Sequence, residues 1–328
     1  MIRPKILYIV LIFVLIGCAN SNARKKNISP SQAEVNFSMD SAFSYVFDQV
    51  AFGPRVPETE PHEQCLKYLV AKLTSWGWKV ELQEDEVNNY ANKMQPVRNI
   101  LARYEGTESQ KENVLLCAHY DTRPWADEEE EYEDRFEPIL GANDGASGVG
   151  VVLEVARQIS LMKPQKNVFI ALFDCEDMGT PRFHTEQPLE DSWCLGSQLW
   201  AHYNQDKIQY GILLDMVGDH NAIFPKEYFS MQYASPYVDK IWHNAKKLGF
   251  SQYFVDELAY PVTDDHYYIN VRANIPCVDI IHYEGFMKDA NTTKSFVEYW
   301  HTQKDDMRNI NKQTLEAVGK TVLYTILN

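Results

Sequence analysis

The chain has 328 residues, 45% of them hydrophobic and 23% charged, with a formal charge of −15 at neutral pH. That length and apolar content can bury one large core, and no internal repeat or low-complexity linker divides it. So acidic a surface repels phosphate backbones and argues against nucleic acid as a partner.

The first element in chain order is an apolar run, Ile6 to Ile16, behind Arg3 and Lys5. It is too short to span a bilayer as a mature helix but suits a secretory signal. It ends in Leu-Ile-Gly-Cys, residues 15–18, which resembles the lipobox of bacterial lipoproteins; the alternative is an ordinary signal with an incidental cysteine. The resemblance implies a signal over 1–18, a lipidated Cys18, a polar tether over 19–36 and a single domain over 37–328. The protein is then exported, faces the periplasm and touches a membrane only through its lipid anchor. Ala19 after Cys18 suggests the outer membrane.

Downstream, "PHEQCLKYLVAKLTSWGW" sets Leu66, Leu69, Val70 and Leu73 on one helical stripe with Gly77 near its end. The region 79–106 reads as antiparallel strands at a sheet edge. Apolar runs at 114–120, 168–174, 210–218 and 275–283 read as buried strands, and helical patterns occupy 146–160, 235–249 and 313–327. This alternation predicts an α/β sandwich whose central sheet is mixed and mostly parallel, with helices on both faces. The acidic stretch 127–137 reads as a solvated loop. Without Cys18, five cysteines remain, an odd number with no Cys-x-x-Cys spacing, so neither a disulfide framework nor a thiolate zinc site is indicated. Cys117, Cys175 and Cys277 fall in apolar runs and read as buried thiols.

The chemistry-bearing residues gather at the C-terminal ends of these strands, where open α/β sheets bind ligands. "AHYD" (118–121) closes one strand, "GANDGASG" (141–148) enters a helix, "DCED" (174–177) closes the next strand, "LLDMVG" (213–218) follows another, and "EYWHTQKDD" (298–306) lies near the end. Carboxylates packed as closely as Asp174, Glu176 and Asp177 need solvent, protons or a cation to relieve their repulsion. Carboxylates and imidazoles converging from several loops are a zinc ligand set when thiolates are absent. Taken alone, Asp144 reads more readily as a helix N-cap than as a ligand.

The order of these motifs resembles the zinc aminopeptidase superfamily, with its phosphorylase/hydrolase-like fold, from about Gln49 to the C-terminus. The resemblance implies that Asp144, Asp177 and His301 bind zinc and that Glu176 is the general acid/base. In a two-metal aminopeptidase, His119 and Asp215 would hold a second zinc; otherwise His119 is a hydrogen-bonding residue behind the site. "VTDDHYYIN" (262–270) and the Trp300-His301 pair resemble instead the glutaminyl cyclase branch, and "EDSWCLGSQLW" its Bacteroidetes-type members. That branch implies a glutaminyl-peptide cyclotransferase acting on peptide or protein N-termini that bear glutamine, with one zinc and no partner chain, as a monomer. Asp264 and Asp215 would share a proton network with Glu176, and Trp300 and, more weakly, Trp193 would line the substrate pocket. Two alternatives stand beside this reading: a two-zinc aminopeptidase, and a non-catalytic peptide-binding protein on the same fold. Asp264 with the residues after it also reads as the cap of a short helix, and Trp300 as core packing. His62, His184, His202, His220, His243 and His282 have no motif context and read as structural or exposed.

Overall fold

Two amphipathic helices begin the ordered chain. Helix α1 (Met39–Val50) is capped by Ser38, whose hydroxyl accepts the Ser41 N–H at 3.2 Å. Helix α2 (Glu60–Ser75) carries Pro61 in its first turn, where no N–H is missed, and Gly77 at φ +85° turns the chain out of it. A hairpin of β1 (Lys79–Asn88) and β2 (Met94–Tyr104) leads to β3 (Asn113–His119), α3 (Ala146–Met162), β4 (Asn167–Phe173), α4 (Leu195–Tyr203) and β5 (Tyr210–Asp215). The short strand β6 (Phe224–Lys226), helix α5 (Tyr228–Lys247) and strand β7 (Phe254–Leu258) precede α6 (Asp265–Arg272), β8 (Cys277–Ile281) and α7 (Lys312–Leu327). The computed structural model describes residues 35–107, 112–187, 190–288 and 296–328, and Val35–Asn328 form one compact unit. The signal over 1–18, Cys18 and nearly all of the 19–36 tether lie outside the described residues.

Among the described residues, the main sheet has the order β1-β2-β4-β3-β5-β8. Strands β4, β3, β5 and β8 run parallel, and β2 and β1 add antiparallel at one edge. The sheet is mixed and mostly parallel, as the sequence implies. Its pleat sends Leu116, Ala118, Ile170, Leu172, Ile212, Leu214, Val278 and Ile280 into a core with α1, α2, α3, α5 and α7. The alternate residues Leu115, Cys117, Phe169, Ala171, Phe173, Leu213 and Cys277 pack with α4 and α6 on the other face. With both faces covered, the strands are continuous apolar runs, and each fully buried Leu or Ile contributes roughly 1.5–3 kcal/mol. The five cysteines of the described residues are buried free thiols.

Several elements depart from the sequence reading. The expected strand over 210–218 stops at Asp215, because Met216 turns to φ +48°. The expected helix over 235–249 starts earlier, at Tyr228, and bends at Ala234, just before Pro236, which has no N–H to give the preceding turn. The 127–137 stretch is not wholly a solvated loop. Tyr132–Phe136 forms a 3₁₀ turn, and Asp127 is buried.

Candidate active site

Three parallel strands end at one crevice and deliver their chemistry there. His119 is the last residue of β3, Glu176 and Asp177 follow β4, and Asp215 ends β5. Asp144 enters from the loop before α3. The N-cap of α3 is Gly145, without a side-chain cap bond, so Asp144 is not the helix cap that its local sequence suggests. Gly145 is required by crowding, since a Cβ there would come within 2.5 Å of both the His119 ring and its carbonyl.

The imidazole of His301 brings the first group together. Its Nε2 stands 3.0 Å from Asp177 Oδ1 and 3.5 Å from Asp144 Oδ2. One donor atom from each of Asp144, Asp177 and His301 lies within 4.8 Å of the others, and all three residues are buried. Among the described residues, buried Asp177 Oδ2 and His301 Nε2 find no hydrogen-bond partner. Unpartnered nitrogen and oxygen atoms this close together fit a zinc ion, and the nitrogen and oxygen ligand set is one that zinc accepts. On the other side of Asp144, His119 Nε2 is 3.0 Å from Asp144 Oδ1 and 3.3 Å from Asp215 Oδ1, a second converging set.

Carboxylates behind the site hold these residues in place. The His301 Nδ1 faces Asp127 at 3.5 Å, and the His119 Nδ1 faces Asp121 at the same distance. A carboxylate behind an imidazole fixes the ring and raises its basicity as a ligand. Asp121 also accepts the backbone N–H of Glu176 and Asp177 at 3.1 and 3.2 Å. Asp305 accepts those of Asn143 and Asp144 at 2.8 and 3.0 Å. Arg123, fully buried, clasps Asp127 with two hydrogen bonds and donates to the carbonyls of Asp177 and Gly179. Asp174, third of the crowded carboxylates, turns away to His62 and the Arg98 N–H, both at 2.8 Å.

Electrostatics splits the remaining pair. Burial, then the neighbouring Asp177, pushes the Glu176 carboxyl well above the usual carboxylate range. For Asp177 burial acts the same way, but His301 outweighs it and the net shift is downward. Burial with the charges of Asp177 and Asp215 lifts Asp144 to about 6. Burial opposes a proton on His301, yet Asp177 more than offsets that and lifts it to about 9. Two adjacent carboxyls are thus tuned apart, one toward holding a proton and one toward remaining an anion.

A cleft of about 260 Å³ opens over these groups, lined by Glu176, Asp215 and Asp264 and walled by Trp193, Tyr283, Phe296 and Trp300. Trp300 stacks on Phe296 at 4.5 Å, packs against a small core of Met216, Ala259, Val262, Ile281 and Tyr283, and presents its half-buried face to the cleft. Trp193 lies parallel to the His301 ring, with the Arg123 guanidinium 4.5 Å from its own ring. Gly179 makes room for it, because a Cβ there would meet the indole at 2.0 Å. Asp264 caps α6, its Oδ1 accepting the Asp265 N–H, while its Oδ2 finds no hydrogen-bond partner among the described residues. Asp264 falls within 4.8 Å of Glu176 and Cys194; Asp215 lies against His119 instead of in that group. His62 is structural, stacked on Tyr120, and His202, His220 and His243 are exposed. The sequence motifs assign no role to Asp121, Arg123, Asp127, Cys194, Glu227 or Asp305. Asp121 and Asp305 sit inside those motifs, and that adjacency was the available signal.

A family model described as peptidase family M28 matches residues 99–326. A solved structure of Tannerella forsythia glutaminyl cyclase is 45% identical, with a TM-score of 0.84, covering 90% of this chain and 99% of that one. A Zn-dependent exopeptidase from Parabacteroides distasonis is 44% identical, with a TM-score of 0.85, covering 90% of this chain and all of that one. Over 303 residues the chain is 24% identical to the glutaminyl-peptide cyclotransferase of Gloydius blomhoffii, covering 84% of this chain and 76% of that protein.

Proposed function

The chain belongs to peptidase family M28, and from that premise we propose that it is a glutaminyl-peptide cyclotransferase, converting N-terminal glutamine of peptides and proteins to pyroglutamate with release of ammonia. One observation carries this reading. Glu176, tuned to hold a proton, shares an aromatic-walled cleft with Asp264 and the Asp144, Asp177 and His301 ligand set.

In the reaction the substrate's α-amine attacks its own side-chain carboxamide carbon, a C–N bond forms in the ring, and the bond to the amide nitrogen breaks. Nucleophile and electrophile share one residue, so a folded side chain and a closed wall are what the protein must provide. Trp300, Trp193 and Phe296 supply that wall and exclude water from the reacting atoms. The ionised form of Glu176 takes a proton from the attacking amine and then, as the acid that burial favours, delivers it to the departing nitrogen, which leaves as ammonia. Asp264, within 4.8 Å of Glu176, steadies that proton as closely spaced acids do. Asp144, Asp177 and His301 would hold the zinc, one ion per chain in this reading, and it would supply Lewis-acid polarisation of the carboxamide oxygen.

A second reading keeps a specific observation of its own. His119 and Asp215 complete a second donor set with Asp144, as a two-zinc aminopeptidase needs. Mass spectrometry of a glutaminyl peptide after incubation separates the two. A product that has lost ammonia but no residue supports the cyclase; a product one residue shorter supports the peptidase. The same proposal includes export and lipid anchoring through Cys18 to a periplasm-facing membrane, probed by whether Cys18→Ala moves the protein from the detergent phase to the aqueous phase.

A further inference from the structure

Among the groups around Glu176, Cys194 stands apart as a neutral donor among carboxylates. Its Sγ lies 3.1 Å from Glu176 Oε1, and its backbone N–H donates to the Glu176 carbonyl at 2.9 Å. The next residue extends the same attachment, with the Leu195 N–H donating to the Cys175 carbonyl at 3.1 Å. Cys194 is fully buried and held in the left-handed region at φ 55°, ψ 39°, a conformation that an ordinary side chain adopts only when its surroundings impose it. Here the imposing contacts are those two backbone bonds and Trp193, locked between Arg123 and Gly179 one residue earlier.

We propose that Cys194 is a positioning residue for proton transfer, its S–H engaging Glu176 Oε1 so that the proton Glu176 carries resides on Oε2. A carboxyl oxygen that accepts a hydrogen bond is poorly placed to hold the carboxyl proton as well, so the thiol selects between two otherwise equivalent oxygens. Asp264, an acceptor when ionised, cannot make that selection by donating. Burial pushes the thiol well above its usual range, so it remains a donor at working pH. The thiol forms and breaks no covalent bond. The inference rests on the acid/base role proposed for Glu176 and deepens it.

The test compares Cys194→Ala, which removes the donor, with Cys194→Ser, which restores one, in the zinc-loaded protein. Cys194→Ala should lower kcat for ammonia release about tenfold with KM within about twofold, and Cys194→Ser should recover most of that loss. Equal activity in both variants and the wild type overturns the proposal; so does an equal loss in both, which marks a packing role. A second readout needs neither turnover nor a folded alanine variant. The infrared S–H stretching band that disappears in Cys194→Ser should move to higher frequency in Glu176→Leu, which has no oxygen to accept the thiol proton. An unmoved band overturns the proposal. A wild-type protein that releases no ammonia defeats the cyclase reading alone, and the band still decides the hydrogen bond.

Discussion

The division of labour between Glu176 and Asp177 is the residue-scale core of this account. The two are adjacent in sequence, yet His301 stabilises the anion of Asp177 while burial favours the protonated form of Glu176. Glu176→Gln should therefore keep fold and zinc but lower turnover by about 10²-fold or more, since only the proton shuttle is removed. Near-full activity in that variant would show that the proton travels by another group. A pH dependence follows from the ligands. Metal ligands must be deprotonated, and without metal His301 retains its proton up to about pH 9. Protons therefore compete with zinc, so zinc affinity should rise with pH by about tenfold per unit through the neutral range. Because Asp144 titrates near 6, the slope should steepen below that value. Zinc dissociation constants measured by chelator competition at several pH values check this; a flat profile would mean that His301 is not a ligand.

At the scale of elements, Glu227 shows how the cleft wall is held. Its buried carboxylate caps α5 through the N–H groups of Phe229 and Ser230, accepts the Val262 N–H at 3.0 Å and pairs with His266 Nε2 at 2.9 Å. It thereby ties α5 to residues 261–264 of the cleft and to α6. Glu227→Ala should destabilise by about 3 kcal/mol, since it strands several buried donors, and thermal denaturation would register the loss. Burial alone would raise the Glu227 carboxyl, but His266 outweighs it and the net shift is downward. Its stabilisation is therefore fully present above the unfolded carboxylate value of about 4.3 and fades as pH falls through the lower folded value. The gap in Tm between wild type and variant should shrink in that acidic window; an unchanged gap would locate the loss elsewhere. Elements were legible in sequence where packing imposes a period. Helices α2, α3 and α7 show it and the four buried strands stand out as unbroken apolar runs instead, whereas α4 and α6 are only nine and eight residues long and carry too few turns to display a period. The tie that Glu227 makes was not legible, because the partners it joins to α5, Val262 and His266, are 35 and 39 residues away.

Across the whole molecule, the site exists because a mostly parallel sheet ends several strands at one rim. The sequence could place His119, Asp177 and Asp215 there, since each closes an apolar run. It could not place Asp127, hidden at the head of an acidic stretch, or Asp305, which reaches back 161 residues to the Asp144 N–H. Such contacts are set by three-dimensional closure and leave no local pattern. The same closure retains a second donor set at His119 and Asp215, so what distinguishes cyclase from peptidase is how the assembled site is used. Titrating zinc into the metal-free protein, while following ammonia release from a glutaminyl peptide and leucine release from a leucyl peptide, tests that directly. Ammonia release that reaches its full rate at about one equivalent of zinc, with no leucine, is the predicted result. Leucine release that requires about two equivalents, with no ammonia, would contradict it.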